Sequence, residues 1–468
     1  MRVVLPILFS AVLISCSSRI AAPNGSLEPV VAPAPTTSSR AAQLSAEAVM
    51  VIQQLTPVVP VLRDEPVDLP PAPITAYVDR PIRVINPLWF NGENVDQREW
   101  AYATGDYGDD PSIYGYGVVR IWDVPFWSST ADQVDEAVKR AKNAGLEPML
   151  IIMNPKVNDP AWAASRVQHF QDIGYPVKYF EIGNENDIND SSTPDGPLDG
   201  NGAGYADAFN ATYDAMKAVD PSVRVGGPAV SGLGGFFETF LQRSGSRTDF
   251  VSYHNYAPWA DQDGEYGFRR RAEYARGLVV RYVTDSYYRN KSDVFLFLGE
   301  WDHASQNAPN AVYFLSAVYW QIEGGLDMAV RYQHNDYWRE EFGKPWSYSL
   351  YNPDGSRSSA FYYHEIVRDY LGDQVVDTDS DDDQVLALGT QRSTTGEVNL
   401  LVINMKSVPV SKSIEIDGVT PDAAVRVVLW NDQVYPPQEH DLVLLTQNRV
   451  TYTIPAKSTV VFSVNGGR

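Results

Sequence analysis

Cysteine is nearly absent: Cys16 is the sole thiol in 468 residues, so no intramolecular disulfide can brace the fold. Histidine is scarce too, and its six copies are scattered. None falls in the His-Glu-x-x-His spacing of a zinc hydrolase, so metal catalysis is not expected. Positive charge is in deficit, with 37 Lys plus Arg against 59 Asp plus Glu and a net charge of −22. A surface of that sign repels phosphate backbones, which argues against a nucleic-acid partner. There is no Gly-x-Ser-x-Gly elbow for a serine hydrolase. Gly232-Leu233-Gly234-Gly235 lacks the third glycine of a dinucleotide loop, and no cofactor is implied.

A long apolar run is also missing. The stretch Val3 to Ile14 follows Met1-Arg2 and is too short to span a bilayer, so residues 1–15 read as an export signal. Leu13-Ile14-Ser15-Cys16 resembles a bacterial lipobox. That resemblance implies cleavage before Cys16 and a lipid on its thiol, placing the protein at a bacterial cell envelope, periplasmic or on the outer-membrane surface. Residues 16–70, rich in Pro, Ala and Ser, then read as a tether giving reach from the membrane.

Residues 84–375 alternate short apolar runs with helical patterns, the signature of a parallel sheet built from βα units. In one unit, Gly117 to Trp122 is a strand and Thr130 with Gln133 forms a capping box. Val134, Ala137, Val138 and Ala141 make the helix stripe, and Gly145 ends it before the next strand, Pro148 to Met153. Further strands are expected at Val84–Phe90, Tyr179–Ile182, Val223–Gly226, Phe250–His254, Val294–Leu298 and Met328–Tyr332. Eight strands over this length match a (β/α)8 TIM barrel. Residues 376–468 read as strands without helices, a C-terminal β-sandwich domain, which residues 71–83 are placed to join as an edge. The acidic stretch Asp377 to Asp383 departs from a calcium loop at its turn glycine and last ligand, and reads as a solvated linker.

Two of these strands deliver carboxylates. Tyr179-Phe180-Glu181-Ile182 runs into Gly183-Asn184-Glu185, and Val294 to Leu298 runs into Gly299-Glu300-Trp301. In a TIM barrel the chemistry sits at the C-terminal strand ends. Two glutamates there supply one proton donor and one nucleophile, the pair that retaining cleavage of a glycosidic bond requires.

From about Ile74 onward the chain resembles clan A of the glycoside hydrolases. Asn184-Glu185 is similar to that clan's Asn-Glu at the end of strand four, and Gly299-Glu300-Trp301 to its nucleophile at the end of strand seven. Asp249 to Tyr256, preceded by Gly226-Gly227-Pro228-Ala229, is similar to strands six and five of family 39, while Glu181 to Glu185 and Glu300-Trp301 look as much like families 51 and 44. The resemblance implies a general acid/base at Glu185 and a nucleophile at Glu300. Arg120 would keep Glu300 ionised, Asn184 would bond the sugar 2-hydroxyl, and His254 and Tyr256 would orient the carboxylates.

Sugars bind on flat apolar platforms. Trp89, Trp122, Trp127, Trp259, Trp301, Tyr332 and Trp338 all lie near expected strand ends. The clan usually ends strand eight with Trp, whereas Arg331-Tyr332-Gln333 stands here, so Tyr332 or Trp338 is expected to take that role. The partners implied are a carbohydrate substrate and, through Cys16, a membrane. The alternative from another class is a non-catalytic carbohydrate-binding surface lipoprotein that uses the barrel as a scaffold.

Overall fold

A computed structural model describes residues 73–95, 115–124, 129–188, 202–257, 267–283, 294–303, 311–334, 349–352, 356–431 and 436–465. Eight parallel strands close into a barrel. In chain order these are β2 (Gly92–Val95), β3 (Val118–Trp122), β4 (Glu147–Ile152), β5 (Tyr179–Ile182), β6 (Arg224–Val230), β7 (Phe250–Ala257), β8 (Phe295–His303) and β9 (Met328–Arg331). Helices α1 (Ala131–Asn143), α2 (Pro160–Asp172), α3 (Ala203–Val219), α4 (Gly235–Ser244), α5 (Phe268–Tyr282), α6 (Ala311–Glu323) and α7 (Ser359–Tyr370) belong to the same body. The capping box at Thr130 and Gln133 forms, with the expected stripe buried beneath it. Among the described residues no helix is long and apolar enough to cross a membrane.

The first barrel strand is not where the sequence pattern points. Pro87 and the Asn86 side chain, which accepts from the Leu88 amide, turn Pro87–Phe90 into a single 3-10 turn. The strand is the next segment, Gly92-Glu93-Asn94-Val95. Its buried residues are largely polar, so no apolar run marks it. Trp89 packs with Tyr179 and Phe295 among Val118, Met149, Phe250 and Phe297, which sit at or near the starts of their strands. It therefore helps plug the N-terminal end of the barrel, opposite the C-terminal strand ends, and is not placed there as a platform.

The strands alternate by twos, as pleating requires. Val118 packs in the barrel interior while Val119 and Ile121 join the layer that includes the surrounding helices, and Met149 and Leu150 divide the same way. Strand β8 breaks the rhythm. Tyr253 pairs with Leu298 but His254 pairs with Glu300, so Gly299 is an extra residue, a β-bulge that re-aims the residues after it. Phe297 lies inside; after the bulge Glu300 meets Arg120 at the barrel centre, and Trp301 is turned to the helix layer.

The remaining strands form one mixed sheet of nine. They are β1 (Pro73–Val84), β10 (Gln374–Ser380), β11 (Val385–Gln391), β12 (Val398–Asn404), β13 (Val410–Asp417), β14 (Ala424–Asn431), β15 (Gln438–Leu444), β16 (Arg449–Ile454) and β17 (Ser458–Val464). The order is β15-β14-β17-β12-β11-β10-β1-β13-β16. Strand β1 lies inside the sheet rather than at its edge, antiparallel to β10 and parallel to β13. One face curls on itself, with Ile74, Ala387, Leu400, Ile414, Val427 and Phe462 in one sandwich-like core. The other face, through Leu388, Leu401, Val428 and Val461, shares a core with the barrel and packs on α6. Asp377 and Asp379, expected in a linker, lie within β10, where Arg80 and the Tyr77 hydroxyl of β1 meet them. Asp381 and Asp382 pair with Lys412 and Lys406. The stretch is a strand and a lysine-paired turn, whose carboxylate density mimics a solvated linker in sequence.

Candidate active site

Arg120 on β3 is fully buried at the centre of the strand ends. All three nitrogens of its fork donate. Nε donates to Glu181 Oε2 at 2.6 Å, Nη1 to Asn94 Oδ1 at 2.9 Å and to Glu300 Oε1 at 2.8 Å, and Nη2 to Asn184 Oδ1 at 2.8 Å. One cation thus ties together the ends of β2, β3, β5 and β8. The second oxygen of Glu300 accepts from the Tyr256 hydroxyl at 2.7 Å, so both oxygens of that buried carboxylate are held.

Glu185 is held differently. Its Oε1 meets His254 Nδ1 at 2.9 Å, and the side chain is 24% exposed. The same nitrogen lies 3.5 Å from Glu300 Oε2, so the imidazole stands between the two carboxylates. Burial pushes Glu185 up, but the hydrogen bond and charge of His254, with Arg120 beyond, outweigh it and leave the carboxyl below its ordinary value. Burial likewise pushes His254 down, and the charge of Glu300 with the bond and charge of Glu185 more than reverse it. A general acid is expected to be raised, yet in this arrangement the proton is drawn to His254. The two groups titrate as a pair that shares it.

The backbone that presents Glu185 is fixed from two sides. Asn154, just past β4, accepts from the Asn184 amide at 2.6 Å and donates to the Asn184 carbonyl at 2.7 Å. The Glu185 amide donates to Ala229 O at 2.9 Å. Glu185 and Ala229 both have a φ of 51°, a left-handed backbone that costs a side-chain-bearing residue about 1–3 kcal/mol. The Asn154 clamp and the neighbouring strand hold that geometry in place.

Among the expected platforms, Trp122 is 5% exposed and covers the Arg120 guanidinium, whose carbon lies 4.8 Å from its ring centre. It packs with Ile151, Met153 and the half-buried Tyr332, which in turn meets Tyr256 edge-on at 6.1 Å. Trp301 is not a platform: it is fully buried against Phe268, Phe314 and Tyr363, because the bulge at Gly299 gives the inward position to Glu300. Trp127, Trp259, Trp338 and the expected lipid site at Cys16 lie outside the described residues.

Sequence reading missed Asn94, Asn154 and Glu181. The signal for Asn94 and Glu181 was a polar residue inside a strand buried on both faces; Asn154 lies in the polar turn after β4. A second buried network supports the first. Asn94 Nδ2 donates to Gly299 O and Arg331 O, both at 3.0 Å. Arg331 grips Glu93 through two bonds of 3.1 and 2.8 Å and reaches Asp302 at 2.6 Å. His364 Nε2 meets Glu93 at 2.9 Å. Burial pushes Glu93 well up despite Arg331, and burial, with the charges of Arg331 and His334, holds His364 well down. The network joins the first barrel strand to the last.

Glu185, His254 and Glu300 place carboxylate oxygens and a ring nitrogen within 4.8 Å of one another, a grouping a cation could in principle use. The donor set opposes it. Arg120 and the Tyr256 hydroxyl already donate to Glu300, and His254 is biased toward its protonated, non-ligating form.

No protein-family model matches this chain, and no curated protein matches it in sequence. Solved structures do. A monomeric β-xylosidase from Caulobacter crescentus aligns over 85% of this chain and 100% of its own, at TM-score 0.65 and 15% identity. An α-L-arabinofuranosidase of glycoside hydrolase family 51 from Thermotoga petrophila covers 84% and 100%, at 0.63 and 15%. A family 44 xyloglucanase from Paenibacillus polymyxa covers 84% and 99%, at 0.61 and 12%. The fold is therefore one shared with solved glycoside hydrolases, families 44 and 51 among them, and family 39 is not singled out. At this identity the likeness establishes the architecture alone.

Replacing Arg331 with Met should leave Glu93 and Asp302 buried without their cation. The expected loss is about 3–5 kcal/mol, read as a lowered urea midpoint with an unchanged slope.

Proposed function

We propose that this protein is a retaining glycoside hydrolase, with Glu185 as acid/base and Glu300 as nucleophile. The observation that carries the reading is the unequal treatment of two close carboxylates. Glu300 is buried and held at both oxygens by Arg120 and Tyr256, which suits a group that must stay ionised and aimed. Glu185 is partly open and bonded to a proton-bearing imidazole, which suits a group that must give up and regain a proton. Their oxygens approach within 4.8 Å, nearer the spacing of about 5–5.5 Å for direct attack than that of about 6.5–9.5 Å for an intervening water.

In the first step Glu300 attacks the anomeric carbon while the leaving oxygen takes the proton of the Glu185–His254 pair from Glu185. In the second, Glu185 removes a proton from water, the resulting oxygen attacks the same carbon, and Glu300 departs. Because Arg120 donates to its Oδ1, Asn184 would serve the sugar 2-hydroxyl through its Nδ2–H group. The substrate class we infer is a β-linked or arabinofuranosyl plant, algal or bacterial polysaccharide or its oligosaccharides. The protein would work at the cell envelope, held by a lipid on Cys16. Cys16→Ser should move it from the membrane fraction to the soluble fraction, and a variant that stays with the membrane would refute the anchor.

Glu185→Ala should lose cleavage of poor leaving groups while sparing activated aryl glycosides, with azide restoring turnover. Equal loss on both substrates would remove Glu185 from the acid role. Glu300→Gln should be inactive on a panel of galactans, xylans, arabinans and aryl glycosides, and wild-type product should keep its anomeric configuration by NMR. Binding without turnover across that panel would favour the scaffold reading.

The basic limb of kcat/KM should fall where the Glu185–His254 pair loses its proton, above the ordinary histidine value of about 6.5, since His254 is raised. In His254→Ala the proton sits on Glu185 alone, so the limb should move to lower pH and the rate should fall about 10²-fold or more. A limb that does not move would show that His254 does not hold the proton.

A further inference from the structure

Two buried polar atoms beside this site are not used by the chemistry above. Glu181 is fully buried on β5; its Oε2 accepts from Arg120, while its Oε1 has no hydrogen-bond partner among the described residues. His254 is 1% exposed; its Nδ1 serves Glu185, while its Nε2 likewise has no partner among them. Leaving such groups unsatisfied is costly, and more so when they are charged. Both atoms face one place. A methyl group built on Gly299 would lie 3.2 Å from Glu181 Oε1 and 3.5 Å from His254 Nε2, so the missing side chain at the bulge keeps the space between them open.

We propose that Glu181 is a positioning residue for His254, acting through one buried water that bridges Glu181 Oε1 and His254 Nε2 beside Gly299. The water accepts from the imidazolium Nε2–H and donates to the carboxylate, and a buried water is stable where it has such partners. His254 is then gripped at both nitrogens, by Glu185 and Glu300 on one side and through the water by Glu181 on the other. Among the described residues, the other titratable groups around this cluster are Arg120 from β3, whose charge opposes a proton on His254, Tyr256 of the same strand as His254, which donates to Glu300, and Tyr205 of α3, which feels the charge of Glu181 while its hydroxyl donates to Ile182 O. Gly299 therefore has two duties: it re-aims Glu300, and it leaves room for the link that keeps the imidazole protonated and fixed. The catalytic consequence rests on the function proposed above, but the protonation of His254 does not, and can be read without turnover.

The test is nitrogen-resolved NMR of His254 in the full chain, assigned by the signal missing from His254→Ala. In Gly299→Ala, which keeps every charge, the His254 midpoint should fall by about one pH unit or more, and Glu181→Gln should move it the same way. In wild type, the Nε2–H should show a cross-peak to a long-lived water. An unchanged midpoint in either folded variant would overturn the proposal, and so would the absence of that cross-peak. If no sugar is ever cleaved but the midpoint shifts, the glycosidase reading fails and the bridge stands.

Discussion

Arg120 is the constraint on which the site depends. A guanidinium taken wholly out of water is tolerable only when it is surrounded by acceptors, and β2, β5 and β8 each bring one or more to it. The requirement runs both ways: Glu181 and Glu300 are buried too, and taking carboxylates out of water is tolerable beside such a cation. The strand ends are thus locked by charge rather than by apolar packing. That gives stiffness to the side chains gathered at the strand ends.

The bulge at Gly299 solves a problem of parity. A strand that keeps strict alternation from Phe297 would send residue 299 inward and residue 300 outward. One extra residue reverses this, so a carboxylate reaches the axis and an indole fills the helix layer behind it. The proton shared by Glu185 and His254 depends on the same detail, since His254 lies opposite Glu300 only because the register has slipped there.

Much of the architecture is legible in the sequence, and the exceptions share a cause. Strands β3, β4, β5, β7 and β8 announce themselves as apolar runs because both their faces are buried. Strand β2 does not, because Glu93 and Asn94 are spent on the two ion networks, and the apolar segment before it looks more like a strand than it does. Strands β15 and β16 and the acidic β10 escape notice because charged and polar residues break up or adjoin their short apolar stretches. Periodicity suggests which residues are buried but not which way a bulged strand turns them, so it assigns Glu300 and Trp301 together to a cleft that only one of them can face. The Asn154 clamp is invisible because its value lies in meeting residue 184, far off in sequence, at the end of the neighbouring strand.

The nine-stranded sheet has no idle inner face. Leu388, Leu401, Val428 and Val461 are buried against α6, while the alternate residues of the same strands line the sheet's own interior, and the chain enters this sheet through β1 before it begins the barrel. The two layers therefore stand or fall as one cooperative unit. Evolution cannot treat the sheet as a detachable accessory to be shuffled onto other proteins, nor trim the barrel free of it, without first inventing a new covering for α6.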